Sequence, residues 1–207
     1  MNEYAAFQDL SPTTFADVLP PGQVLAAAIR PMWPGMPRLA GFAYTVRCGV
    51  GDSLMLHAAI YRASPGAIVV VEAGDAEFAL AGGNVCAVAQ KRGILGFVVD
   101  GSIRDIAEIR AIRFPVFARG VVPVAAGKKT IGTLNTAVCC GGVVIRPRDV
   151  LVADEEGIVV IPAAALESTL QAATRKAAKE STQTLAAWEA EHRMRIERLL
   201  RDKGFAD

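Results

Sequence analysis

Two short stretches carry residue types that could do chemistry: Gly82-Gly83-Asn84-Val85 and Arg104-Asp105. Glycines, lacking side chains, let an anion come close to the backbone. If a helix starts at this pair, its first N–H groups point outward unpaired, with the positive end of the helix dipole behind them. A carboxylate fits that place. Arginine grips a carboxylate or carbonyl with parallel donors. An aspartate oxygen suits a hard divalent ion such as Mg²⁺ or Mn²⁺, whose remaining positions can go to water and substrate. Each feature also has a plainer alternative. Two glycines make a flexible loop, and an Arg-Asp pair can simply open a surface helix, where the dipole favours Asp.

Other candidates are weaker. The chain holds two histidines, His57 and His192, so a triad of histidine ligands is excluded within one subunit. His57 lies within SLMLHAAIYRA and reads as a partly buried polar group in preference to a base. Lys128-Lys129, in AGKKTIG, read as exposed and solvated, with nothing to desolvate a Schiff-base lysine. The upstream glycine spacing of a phosphate loop is absent there. Asp75 and Glu77 follow a buried strand and either approach the site or decorate a loop. Cys48, Cys86, Cys139 and Cys140 include no CxxC pair and read as reduced, small core residues.

The elements that must position these residues are legible in the periodicity. Ser11-Pro12 opens a short helix over 13–19. A proline-rich loop over 30–38 precedes an alternating strand over 41–47. Asp52 can cap a helix over 53–63. AIVVVE at 67–72 and ILGFVVD at 94–100 read as strands buried on both faces, joined by a helix over 84–91. This is a βαβ unit, and ligands of parallel sheets bind beyond the carboxyl ends of the strands. The glycine pair and Arg104-Asp105 lie on the two connections leaving those ends, with Gly101 expected to turn the chain. A helix over 104–112 and a strand over 115–119 follow, then several short strands, then a hairpin over 150–153 and 157–161. From 163 onward the chain reads as helical. Leu185, Trp188, His192, Ile196, Leu199 and Leu200 form an amphipathic stripe, facing either the same domain or a neighbouring subunit. The division expected is a single α/β domain over 1–162 and a helical extension over 163–207.

The totals exclude other classes. Net charge is +1, with basic residues scattered, so nucleic acid is not an expected partner. No apolar run approaches the roughly 18 residues of a membrane span. MNEYAAFQDL lacks the features of a secretory signal, which makes the cytoplasm the expected location.

VVDGSIRD at 98–105 and FPVFARG at 114–120 resemble the segment that marks the 4-hydroxy-4-methyl-2-oxoglutarate and 4-carboxy-4-hydroxy-2-oxoadipate aldolases. The regulator of ribonuclease activity A belongs to the same superfamily. The family signature is Gly or Asp, twenty residues, Arg-Asp, two residues, then Glu or Asp. Gly83, Arg104, Asp105 and Glu108 stand at its positions. GFAYTV at 41–46, the proline-glycine run at 63–70 and GGVVIRPRDVLVADEEGIVVIP at 141–162 are similar too, although Pro147-Arg148-Asp149 replaces the usual PGD. The resemblance implies a swivelling β/β/α domain with layered sheets and a long C-terminal helix, assembled as a homotrimer or hexamer. It implies a lyase that cleaves 4-hydroxy-2-oxo acids to pyruvate and decarboxylates oxaloacetate with Mg²⁺ or Mn²⁺. Asp105 would bind the metal, and Glu108 would hold metal-bound water. Arg104 would bind the substrate and stabilise the enolate, and the amides of Gly82, Gly83, Asn84 and Val85 would hold its carboxylate. Many members carry an acidic residue where this chain has Asn84, which cannot accept a proton as a base would. The alternative from the same superfamily is a non-catalytic, protein-binding scaffold.

Overall fold

A computed structural model describes residues 4–205. In chain order the elements are α1 (Ala5–Gln8), α2 (Pro12–Ala16), β1 (Arg30–Pro31), β2 (Leu39–Arg47), α3 (Leu54–Ala59), β3 (Ala67–Glu72), α4 (Gly83–Lys91), β4 (Gly96–Ile103) and α5 (Ile106–Ala111). They continue with β5 (Val116–Val121), β6 (Thr133–Leu134), β7 (Val138–Cys140), β8 (Val143–Ile145), β9 (Val150–Asp154), β10 (Gly157–Ile161), α6 (Leu166–Thr182) and α7 (Leu185–Asp202). The main sheet runs β1-β5-β4-β3-β2-β9-β10, with β6 beside the end of β2. Strands β2 to β5 are parallel and are joined in turn by α3, α4 and α5, while β1, β6, β9 and β10 complete the sheet antiparallel.

Side-chain alternation divides the interior. Leu151, Ala153, Ile158 and Val160 join the larger core, with β3, β4 and α3 to α5. Their strand neighbours Val150, Val152, Val159 and Ile161 join a second core with Phe7, Phe15 and Ala173. Period-two placement of apolar residues on both sheet faces forces a cover on each. The β7–β8 hairpin forms a second, two-stranded sheet. Its Val138, Cys140, Val143 and Ile145 are buried in the larger core, which completes the β/β/α layering. Cys139 faces outward, so one of the four cysteines is exposed.

Three expectations are corrected. Gly101 does not turn the chain: β4 runs through it to Ile103, with a ladder shift between Val99 and Ser102. A Cβ at Gly101 would stand 2.6 Å from the Ala73 Cβ, so glycine is there to let two segments meet. The proline-rich segment contributes β1 and buries Trp33, whose indole N–H donates to the Phe114 carbonyl at 2.9 Å. The C-terminal helical stretch breaks at Gln183, where the backbone is extended, and restarts at Thr184, whose hydroxyl accepts the Ala187 N–H. Helix α6 buries Thr169 and Ala173, but α7 buries nothing, and Leu185 and Trp188 of its stripe are exposed. Among the described residues no helix is long and apolar enough to cross a membrane.

Candidate active site

The two connections meet as the βαβ reading requires. Residues 79–82 run beside the end of β4: the Leu80 N–H donates to the Ser102 carbonyl at 2.9 Å, and the Arg104 N–H to the Ala81 carbonyl at 2.9 Å. Gly82 then caps α4 in an extended conformation, and the first-turn amides have no carbonyl one turn back to bond. Opposite, Asp105 caps α5 with φ 59° and ψ 41°, left-handed backbone that is costly for a residue with a Cβ. Its carboxylate does not cap its own helix. It reaches across, and Oδ2 accepts the Gly83 N–H at 3.1 Å and lies 3.5 Å from Arg104 Nε.

Both glycines leave room that the facing carboxyls occupy. A Cβ on Gly82 would fall 2.2 Å from Asp105 Oδ2, and a Cβ on Gly83 would fall 1.9 Å from Glu108 Oε2 and 2.9 Å from Glu108 Cβ. The carboxyls of Asp105 and Glu108, three residues apart on one helical face, therefore rest against the glycine turn. Among the described residues no three His, Cys, Asp or Glu side chains gather as metal ligands.

A small cleft of about 80 Å³ opens here, lined by Gly82, Asn84, Val85, Arg104 and Asp105. Glu108 faces an adjoining depression with Val121 and Pro123. One expectation needs correction: the Gly83 N–H already serves Asp105, which leaves the Asn84 and Val85 amides as the open donors of the first turn.

The far wall includes two residues that the sequence does not single out as functional, His57 and Lys128. It comprises Ser53, the N-cap residue of α3, His57 from its last turn, and Lys128 from the loop between β5 and β6. Asp52 brings them together. Its Oδ1 accepts the Leu54 N–H at 2.9 Å, capping α3 as expected, and its Oδ2 accepts the N–H groups of Lys129 and Thr130. Burial opposes ionisation of Asp52, but these three N–H groups and the Lys128 charge outweigh it and hold its pKa below the usual value. The Ser53 hydroxyl donates to the Gly127 carbonyl at 3.0 Å. Burial and the Lys128 ammonium push the His57 pKa down, partly offset by a hydrogen bond to the Leu80 backbone. The Cys86 thiol, pushed up to about 12 by burial and the Asp105 charge, stays protonated and inert. Asp75 is a loop tie, accepting the Gly51 and Glu77 N–H groups.

The RraA-like (aldolase/RraA) family model matches residues 13–160, and the chain belongs to that family. A Halalkalibacterium halodurans protein, provisionally named a 4-hydroxy-4-methyl-2-oxoglutarate aldolase, is 42% identical over 182 residues, covering 87% of this chain and 86% of that one. A Deinococcus radiodurans protein with the same provisional name is 34% identical over 157 residues, covering 75% and 97%. Among solved structures, the RNA-processing inhibitor RraA of Thermus thermophilus superposes with TM-score 0.66 at 28% identity, covering 72% and 91%. Streptomyces coelicolor RraAS2, described as an unusual member of the RNase ES inhibitor RraA family, superposes with TM-score 0.77 at 25% identity, covering 86% and 92%.

Proposed function

We propose that this protein is a divalent-metal-dependent lyase that cleaves 4-hydroxy-2-oxo acids to pyruvate and a second carbonyl compound, and that also decarboxylates oxaloacetate. The observation that carries this reading is the Asp105 carboxylate, set in left-handed backbone and held against the glycine turn beside Arg104. The provisional names of the relatives support the same reaction class.

The chain's groups have separable tasks. The guanidinium of Arg104 donates to the 2-oxo oxygen, where negative charge develops as the carbon–carbon bond breaks. The Asn84 and Val85 amides, at the positive end of α4, hold the C1 carboxylate. Asp105 would hold Mg²⁺ or Mn²⁺, with Glu108 ordering its water. Two hard-oxygen carboxyls at a cradle that a Cβ would fill support an ion with few protein ligands. When bound, the ion adds positive charge near the 2-oxo oxygen. Self-association as a homotrimer or hexamer is part of the proposal. Val121 and Val124, 49% and 54% exposed near the site, and the bare stripe of α7 support it.

Pyruvate release from 4-hydroxy-4-methyl-2-oxoglutarate and from oxaloacetate, with Mg²⁺ and with a chelator, tests the proposal. Release from both substrates that stops on chelation is expected. Equal rates in the two conditions would remove the metal, and no release from either substrate would leave a protein-binding scaffold.

A further inference from the structure

The proposed cleavage needs a group that takes a proton from the substrate's C4 hydroxyl and gives one back at C3. Of the side chains lining the cleft, few can. Asn84 is neutral and has no proton to exchange. Arg104 stays protonated. Lys128, as an ammonium, has no lone pair. Asp105 is assigned to the metal in the reading above, and one of its oxygens already accepts the Gly83 N–H. The Ser53 hydroxyl is committed to the Gly127 carbonyl. His57 remains, half-buried on the wall that also carries Lys128.

We propose that His57 is the proton-transfer residue of the cleft, a role that rests on the lyase reading above. Its imidazole lines the cleft together with Leu80, Arg104, Asp105 and Lys128. A neutral imidazole keeps one ring nitrogen as an acceptor, whichever tautomer it adopts. The charge acting on it is that of Lys128, from the loop over 127–130, and Arg104 and Asp105 line the same cleft. Burial and the Lys128 charge keep the ring neutral near pH 7, as a base requires.

The step balances. The free ring nitrogen takes the C4 hydroxyl proton, and the C4–O bond becomes a carbonyl as the C3–C4 bond breaks. That electron pair forms the C2–C3 double bond of the pyruvate enolate, its oxygen facing Arg104. The imidazolium then returns the proton to C3, giving pyruvate and neutral His57. Oxaloacetate has no C4 hydroxyl: loss of CO₂ gives the same enolate without the first transfer, and water can protonate it.

This difference supplies the test. His57→Gln keeps a polar side chain with an N–H donor but cannot shuttle a proton. With Mg²⁺ in excess, pyruvate release from 4-hydroxy-4-methyl-2-oxoglutarate is expected to fall about 100- to 10,000-fold, and release from oxaloacetate to fall less than about tenfold. The wild-type cleavage rate should drop as pH falls below 6.5 toward the lowered His57 pKa, an acid limb that decarboxylation does not share. Equal losses on both substrates would mark His57 as merely structural and overturn the proposal, as would undiminished cleavage. A wild-type protein inactive on both substrates would instead remove the underlying lyase reading, and this proposal with it.

Discussion

Carboxylates stand at two places along the carboxyl side of the parallel strands, and they are treated oppositely. In the first, Arg47, Glu72, Asp100 and Arg119 form a row across β2, β3, β4 and β5. Glu72 accepts Arg47 Nε at 3.0 Å on one oxygen and the Cys139 N–H at 2.8 Å on the other. Asp100 pairs with Arg119 on one oxygen and accepts the Gly141 N–H at 2.7 Å on the other. Both carboxylates thus clamp the β7–β8 hairpin to the sheet. At the second place, Asp105 uses one oxygen for one backbone N–H and a looser contact with Arg104, in strained backbone, with its side chain 34% exposed. A carboxylate that builds the fold is saturated by its own chain, whereas one that serves a ligand is left partly unpaired and held in place at a conformational cost.

Substitutions can break this contrast. The largest effect is expected from Asp105→Ala, which should abolish metal-dependent pyruvate release while the protein still unfolds cooperatively, at a modest stability cost from the Gly83 N–H left without its acceptor. Arg104→Lys should lower kcat by about 100- to 1,000-fold, since an ammonium cannot copy the planar fork, and steady-state kinetics on oxaloacetate would read it. Gly82→Ala comes next. The added methyl must displace the Asp105 carboxyl, at about 1–3 kcal/mol of overpacking, so activity should fall well before the protein loses its fold in a urea titration. At the clamp the pattern should invert. Asp100→Asn should cost about 1–3 kcal/mol of stability by leaving Arg119 without its charge partner, while KM for oxaloacetate changes little. The smallest effect separates two inactive variants: Asp105→Gly should be about 1 kcal/mol more stable than Asp105→Ala, because glycine accepts left-handed backbone.

His57 adds a pH signature to stability. Its pKa is lowered in the folded state, so the unfolded chain binds the proton more readily. Its contribution is intact above 6.5 and is lost as pH falls through the folded value, and His57→Gln should flatten that part of a pH–stability curve.

The comparison also separates what local sequence discloses from what it hides. The glycine pair and Arg104-Asp105 were legible because each sits at a boundary set by its own periodicity, and βαβ geometry then forces those boundaries together. The clamp was not, because Glu72 and Asp100 reach residues 67 and 41 positions away. His57 and Lys128 were discounted for the same reason. The Asp52 oxygen that draws the lysine loop to α3 accepts N–H groups 77 and 78 positions away, and only its local capping role showed in the sequence. Gly101 misled because a glycine needed for close approach looks like one needed for a turn. The break at Thr184 did carry a local signal, an N-capping residue, overridden by the regular stripe beyond it.

Metal binding compared between the two carboxylate positions tests the central claim most directly. Mn²⁺ titrations followed by electron paramagnetic resonance, with oxalate as a planar mimic of the pyruvate enolate, should show binding to wild type and to Asp100→Asn, and its loss in Asp105→Ala. Undiminished Mn²⁺ binding by Asp105→Ala would contradict the assignment of that carboxylate as the metal ligand.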